Sequence, residues 1–150
     1  MFEFLQYRVA DAMTPIPITT GPDTRLRDLE RLFETHDFNG IPIVDEEQHL
    51  LGMVTKFDLL KAFTLNPSVM VPPYEAIMEQ TAESVMTHNP VSIAPELPLS
   101  RLVEKMVEMR TKSFPVVHED RIVGIIARED VLKALRRATS HQPPPRDPPP

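Results

Sequence analysis

The chain carries one pattern twice, and that limits the folds open to it. Ser84-Val85-Met86-Thr87 repeats Asp11-Ala12-Met13-Thr14 at a distance of 73 residues. At the same spacing Pro90-Val91-Ser92 matches Pro17-Ile18-Thr19, and Pro95 matches Pro22. Leu99 and Leu102 match Leu26 and Leu29, and Phe114-Pro115-Val116-Val117 matches Ile41-Pro42-Ile43-Val44. One residue is then lost from a turn. At an offset of 72, Gly124-Ile125-Ile126 matches Gly52-Met53-Val54, Asp130 matches Asp58, and Leu132-Lys133-Ala134 matches Leu60-Lys61-Ala62. Each repeat of about 55 residues reads as extended segment, helix, strand, strand, helix. Neither has enough apolar surface to cover its own sheet, so the two are expected to pack with pseudo-two-fold symmetry and share a core. The fold class is therefore α/β (α+β), two tandem repeats, each a small sheet with two packed helices. The divisions are 8–65, a linker at 66–81, 82–138, and a tail at 139–150.

Local signals place the elements. Arg8 to Met13 is a short helical turn, and Ile16 to Thr20 is held extended by Pro15 and Pro17. Gly21-Pro22-Asp23 turns the chain, and Thr24 is the expected cap of a helix with Leu26, Leu29, Leu32 and Phe33 on one stripe, ended by Asn39-Gly40. Ile41 to Val44 is a strand in which Pro42 belongs at a start or an edge. Asp45 to His49 turns into a strand at Leu50 to Val54, then a helix from Thr55 to Phe63. A short helix, Tyr74 to Met78, follows Pro73. The helix Leu99 to Met109 is apolar on more than one face, which calls for a deep position or a partner. Six prolines between Pro143 and Pro150 read as an extended, disordered tail.

Gly52-Met53-Val54-Thr55-Lys56-Phe57-Asp58 reads as strand, sharp turn, helix. A helix start offers unpaired N–H groups and partial positive charge, a place for phosphate. Thr55 can bond that phosphate, and Asp58 can accept from two sugar hydroxyls. Equally, Thr55-x-x-Asp58 has the form of a capping box. Both readings stand at this point.

Composition excludes other classes. A net charge of −6 argues against a broad nucleic-acid surface. No apolar run approaches a membrane span, and the start lacks the features of a signal peptide, so a cytoplasmic protein is expected. There is no cysteine, hence no thiol nucleophile or thiolate metal site. Histidines 36, 49, 88, 118 and 141 show no metal-ligand spacing, and Ser84, Ser100 and Ser113 lack a nucleophile elbow. Neither an enzyme nor a metal site is expected.

Taken in order and twice, these markers resemble a tandem pair of cystathionine-β-synthase (CBS) domains, a Bateman module, over roughly Val9 to Arg137. The resemblance implies a stand-alone regulatory module with no required cofactor. It would bind AMP, ADP, ATP or S-adenosylmethionine in clefts between the repeats. It implies that Asp58 holds ribose, that Thr55 and Lys56 meet phosphate, and that Ile18, Thr19, Gly40, Ile41 and Pro42 flank adenine. In the second repeat Asp130 is kept, but Ala127 replaces the hydroxyl, with Arg128 as a substitute charge and Val91, Ser92, Phe114 and Pro115 as lining. The first site thus ranks above the second for a phosphorylated ligand. A cap does not by itself explain Asp130 beside Ala127. The family also implies a homodimer and, with no effector domain here, a separate partner protein. The competing reading is a ligand-independent dimeric scaffold.

Overall fold

In the computed structural model the structure describes residues 3–15, 17–64 and 73–140. Part of the expected linker, residues 66–72, the proline-rich stretch from 143, and Ile16 lie outside them.

A 3-10 turn, Glu3–Gln6, leads into α1 (Val9–Ala12) and β1 (Thr14–Pro15). Then come α2 (Leu26–Thr35), β2 (Gly40–Val44), β3 (Leu50–Thr55) and α3 (Lys56–Lys61). Next are α4 (Tyr74–Met78), α5 (Ala82–Val85) and β4 (Thr87–His88). The last are α6 (Leu99–Met109), β5 (Ser113–His118), β6 (Arg121–Ala127) and α7 (Arg128–Thr139). Among the described residues the strands form two antiparallel three-stranded sheets, ordered β2-β3-β4 and β1-β6-β5.

The chain divides into two compact units that are not the two sequence repeats. One unit is continuous, residues 18–90. The other joins the residues up to 17 to those from 91 onward. Each sheet thus takes its short edge strand from the opening of the other repeat. The same backbone bonds tie each opening in place. Val9 N–H donates to Leu97 O at 2.9 Å and Leu99 N–H to Tyr7 O at 2.9 Å. At matching positions in the continuous unit, Ala82 N–H donates to Thr24 O at 2.8 Å and Leu26 N–H to Gln80 O at 2.9 Å.

The glycine repeated in each middle strand, Gly52 and Gly124, is what admits this arrangement. A Cβ on Gly52 would lie 2.5 Å from Met86 Sδ and 2.7 Å from Thr87 O. One on Gly124 would lie 2.6 Å from Met13 Sδ and 2.9 Å from Thr14 O. The Met-Thr pairs and the glycines that mark the repeat are therefore two halves of one contact.

Each unit has its own core. Leu26, Leu29, Ile41, Ile43 and Val54 are fully buried in the continuous unit, with Ala82 and Met86 from the second repeat. Val9 from the first repeat and Tyr7 just ahead of it are fully or nearly fully buried with Leu99, Leu102, Phe114, Val116 and Ile126 in the other. The expected shared core is realised as two cores, each built from both repeats.

Several local expectations need revision. Thr24 does not cap α2; Arg25 is the N-cap, and Thr24 instead supplies the carbonyl that holds α5. α2 ends at Thr35, ahead of Asn39-Gly40, and Gly40 opens β2 opposite Thr55. α3 stops at Lys61, and its continuation to Thr64 is made of single i to i+3 bonds. The expectation for Pro42 holds in its second form: it sits within β2, which is the edge strand of its sheet. Its carbonyl accepts from Thr20 N–H at 3.1 Å, and its missing N–H falls where that short parallel ladder ends.

Candidate functional site

The first candidate site lies wholly in the continuous unit. Thr55 ends β3 and serves as N-cap of α3, and Asp58 follows one turn later. The capping box is formed. Asp58 Oδ2 accepts from Thr55 N–H at 2.8 Å and from Thr55 Oγ1 at 3.0 Å. Asp58 N–H donates back to Thr55 Oγ1 at 3.3 Å. Lys61 Nζ closes on the second oxygen, Oδ1, at 3.2 Å. Asp58 is 4% exposed, one of two buried acids among the described residues. Burial of a carboxylate with this many donors is physically consistent, since each oxygen is satisfied. The proton that Thr55 would give a phosphate is held by Asp58, so a bound phosphate must draw that donor from the box. Lys56 stands beside it, exposed, at the first helical position.

β2 supplies the neighbouring wall. Gly40 faces Thr55 in the register, and a Cβ there would come within 3.0 Å of Met53 Cε. Ile41 is fully buried in the core and Pro42 is buried, so a ligand beside β2 meets Ile41 through its backbone. Ile18, 39% exposed, and half-buried Thr19 lead into Thr20, which runs parallel to β2. A cleft of about 710 Å³ opens near Thr19 and Val44, at the far end of β2 from Thr55. Its lining includes Asp23, Asp45 and Glu46, which repel phosphate.

The second candidate site lies in the other unit. Asp130 Oδ2 accepts from Ala127 N–H at 2.8 Å, half of the same box. The backbone half of the cap thus explains why an acid sits at this position beside an alanine, contrary to the expectation that capping could not. Asp11 does the same for Arg8 N–H at 2.8 Å. Thr14, from β1, donates to Asp130 Oδ1 at 3.4 Å. Burial, opposed by the Ala127 bond and the Lys133 charge, holds Asp130 above the ordinary carboxylate value. Val91 is 48% exposed and Ser92 is exposed, while Phe114 is 2% exposed and faces the core. Pro115 is buried, and its carbonyl accepts from Ile93 N–H at 3.0 Å.

Arg128, expected as a substitute charge for the lost hydroxyl, is held by a backbone contact. Its Nε donates to Thr111 O at 3.0 Å, and it borders a groove between α6 and α7. The cation acting on Asp130 is Lys133. Thr14, Lys61 and Lys133 act on the two aspartates and were not singled out from the sequence. The lysines had a signal, since each follows its aspartate by three residues at matching places in the repeat. Thr14 had none, because its partner is 116 residues away.

Among the described residues no cluster of acids and histidines could hold a metal, and no helix is long and apolar enough to cross a membrane. His49 pairs with Asp45 at 3.0 Å and His36 stacks on Phe38. His141 lies outside the described residues.

Comparison with known proteins gives this geometry its context. The chain is 29% identical over 126 residues to an L-aspartate semialdehyde sulfurtransferase of Methanocaldococcus jannaschii, covering 83% of this chain but 22% of that protein. The chain spans about a quarter or less of the curated relatives heading that comparison. Among solved structures it is similar to one named as an acetoin utilization protein (AcuB) of Vibrio cholerae. The TM-score is 0.79 at 30% identity, with 91% of this chain and 95% of that one covered. It is also similar to the CBS domain pair of protein MJ0100, in complex with 5′-methylthioadenosine and S-adenosyl-L-methionine. There the TM-score is 0.72 at 27% identity, with 88% and 98% covered. The CBS domain pattern matches residues 9–65 and again 82–137, the same two stretches whose openings are exchanged between the sheets, and the chain belongs to the CBS domain family as a tandem pair.

Proposed function

We propose that this CBS pair is a regulatory module that binds an adenosine-containing ligand at its strand–helix junctions and signals its occupancy to a separate effector protein. The observation that carries the reading is the likeness to the MJ0100 pair, which holds two adenosyl ligands. It is supported by a paired hydroxyl and carboxylate at the start of α3. Asp58 takes the ribose hydroxyls, Thr55 and Lys56 the phosphate, and Gly40, Ile41, Pro42, Ile18 and Thr19 the base. Asp130 anchors the second site, with Val91, Ser92, Phe114 and Pro115 beside it. Lacking the hydroxyl, that site suits an uncharged or sulfonium adenosyl compound better than a nucleotide. Two copies pair, and the effector reads the change between states for which the ligand has different affinity. The module itself carries out no reaction.

Titration calorimetry with AMP, ADP, ATP, S-adenosylmethionine and 5′-methylthioadenosine tests this. Asp58→Asn keeps an acceptor for the Thr55 N–H, so folding survives, while ribose binding is lost. Saturable heat that vanishes in Asp58→Asn places a nucleotide in the first repeat. Heat that survives there but fails in Asp130→Asn moves the site to the second.

A second reading is a ligand-independent scaffold. It is favoured by one observation: both oxygens of Asp58 already have partners within the chain, in Thr55 and Lys61. No heat from any ligand, with Asp58→Ala costing only stability, selects it.

A further inference from the structure

Asp58 has two demands on it. It closes the start of α3, and as a ribose ligand it must accept two further hydroxyls. A carboxylate has about four acceptor sites, two on each oxygen. Oδ2 is filled by the Thr55 N–H at 2.8 Å and the Thr55 hydroxyl at 3.0 Å. Oδ1 holds Lys61 Nζ at 3.2 Å. Room for both sugar hydroxyls therefore requires that one of these donors leave. The donors differ in how readily they can. Thr55 supplies two of them from the box that starts the helix, and losing either opens the cap. Lys61 is a flexible side chain, 54% exposed, so its half of the pair is already screened by water. It also has another place to rest. Nζ stands 5.5 Å from the centroid of the Phe57 ring, which is itself exposed.

We infer that Lys61 is a built-in competitor for the sugar, so that the first site takes a ribose only by expelling its own lysine from Asp58. The inference rests on the adenosyl reading above and adds to it a residue that sets how tightly the two hydroxyls are held. Lys61 is thus a positioning residue for Asp58: it keeps the carboxylate charged and satisfied while the site is empty, and binding is weaker by the strength of that pair.

The repeat supplies a contrast. Lys133 stands at the matching place in the second repeat, where it acts on Asp130 as a nearby charge. Asp130 accepts from the Ala127 N–H at 2.8 Å through Oδ2, and Oδ1 holds a long bond from the Thr14 hydroxyl at 3.4 Å. Two acceptor sites remain for two hydroxyls, with no ion pair to break. Lys133→Met is therefore expected to leave adenosine binding at that site nearly unchanged, whereas Lys61→Met is expected to strengthen it at the first.

The first site is read alone in chains carrying Asp130→Asn, which keeps an acceptor for the Ala127 N–H. Adenosine and dideoxyadenosine are titrated by calorimetry into that chain with and without Lys61→Met, once each has shown a cooperative melt. Lys61→Met is expected to bind adenosine about fivefold more tightly, the size of a partly exposed ion pair. Dideoxyadenosine offers Asp58 no hydroxyl and is expected to gain nothing. An equal gain for both ligands, or none for adenosine, overturns the inference and leaves the adenosyl reading standing. No heat from adenosine in either chain also overturns it, while the AMP titration still judges that reading on its own. Salt gives a second readout with Lys61 in place. Adenosine is uncharged, yet its affinity should rise from low to high salt as the pair is screened, and that of dideoxyadenosine should not. This comparison stands even where Lys61→Met fails to melt cooperatively. Equal salt responses of the two ligands overturn the inference.

Discussion

Asp58 and Asp130 occupy the same place in the repeat and hold their charge differently. Asp58 is enclosed by Thr55 and Lys61; Asp130 keeps one backbone donor, a long bond from Thr14, and a raised pKa caused chiefly by burial. The sign of the resulting pH dependence follows from proton counting. Where the folded pKa exceeds the unfolded one, the native state binds more protons, so stability falls as pH rises from about 4 through the raised value. Asp130→Asn should remove that decline, seen as a flatter melting temperature across this window, while the Ala127 N–H keeps an acceptor. At the other site, Thr55→Ala should cost about 1 kcal/mol through the lost cap. It should also weaken AMP more than adenosine, since only AMP uses the hydroxyl as a phosphate donor. Calorimetry with the two ligands separates the effects.

At the scale of elements, the glycines of β3 and β6 let each sheet take in its short edge strand by leaving room. Gly52→Ala and Gly124→Ala should each destabilise by about 1–3 kcal/mol through overpacking, measured as a lower urea midpoint with unchanged slope. Trimming Met86 to alanine should not restore Gly52→Ala, because the Thr87 carbonyl remains 2.7 Å from the added carbon. These elements were legible in the sequence as repeat, period and turn chemistry, and β2, β3 and α6 stand close to where those signals put them. What could not be read was which repeat each opening joins. A two-residue strand such as β1 or β4 has no period, and its hydrogen-bond partner lies far along the chain. The same limit applied at the site. Thr55 and Asp58 are near neighbours and were found, whereas Ile41 and Phe114 proved to be core because burial is a property of the assembled sheet.

At the scale of the whole molecule, the two units differ in continuity. Residues 18–90 contain every strand of their sheet, so that fragment alone should show a cooperative, though marginal, urea transition. Residues 91–140 alone should not, because β1 and the Val9 and Tyr7 side chains are missing from their sheet and core. Adding a peptide of residues 3–17 should recover native circular dichroism. In the intact protein, a ligand present at 100 times its dissociation constant should stabilise by about 2.7 kcal/mol, a shift readable in the melting curve.

Discontinuity in space becomes delay in time when the chain is made. β1 emerges from the ribosome well before the strand it pairs with, and Thr14 cannot meet Asp130 until 116 further residues have been added. At 5–20 residues per second that is a wait on the order of ten seconds. Meanwhile the middle of the chain can close its own sheet. The segment carrying Phe4, Tyr7 and Val9 waits through that interval without the β5 and β6 side chains it packs on. Synthesis therefore completes this unit at its earliest-made strand, and the segment around β1 is where a chaperone should be found holding the chain.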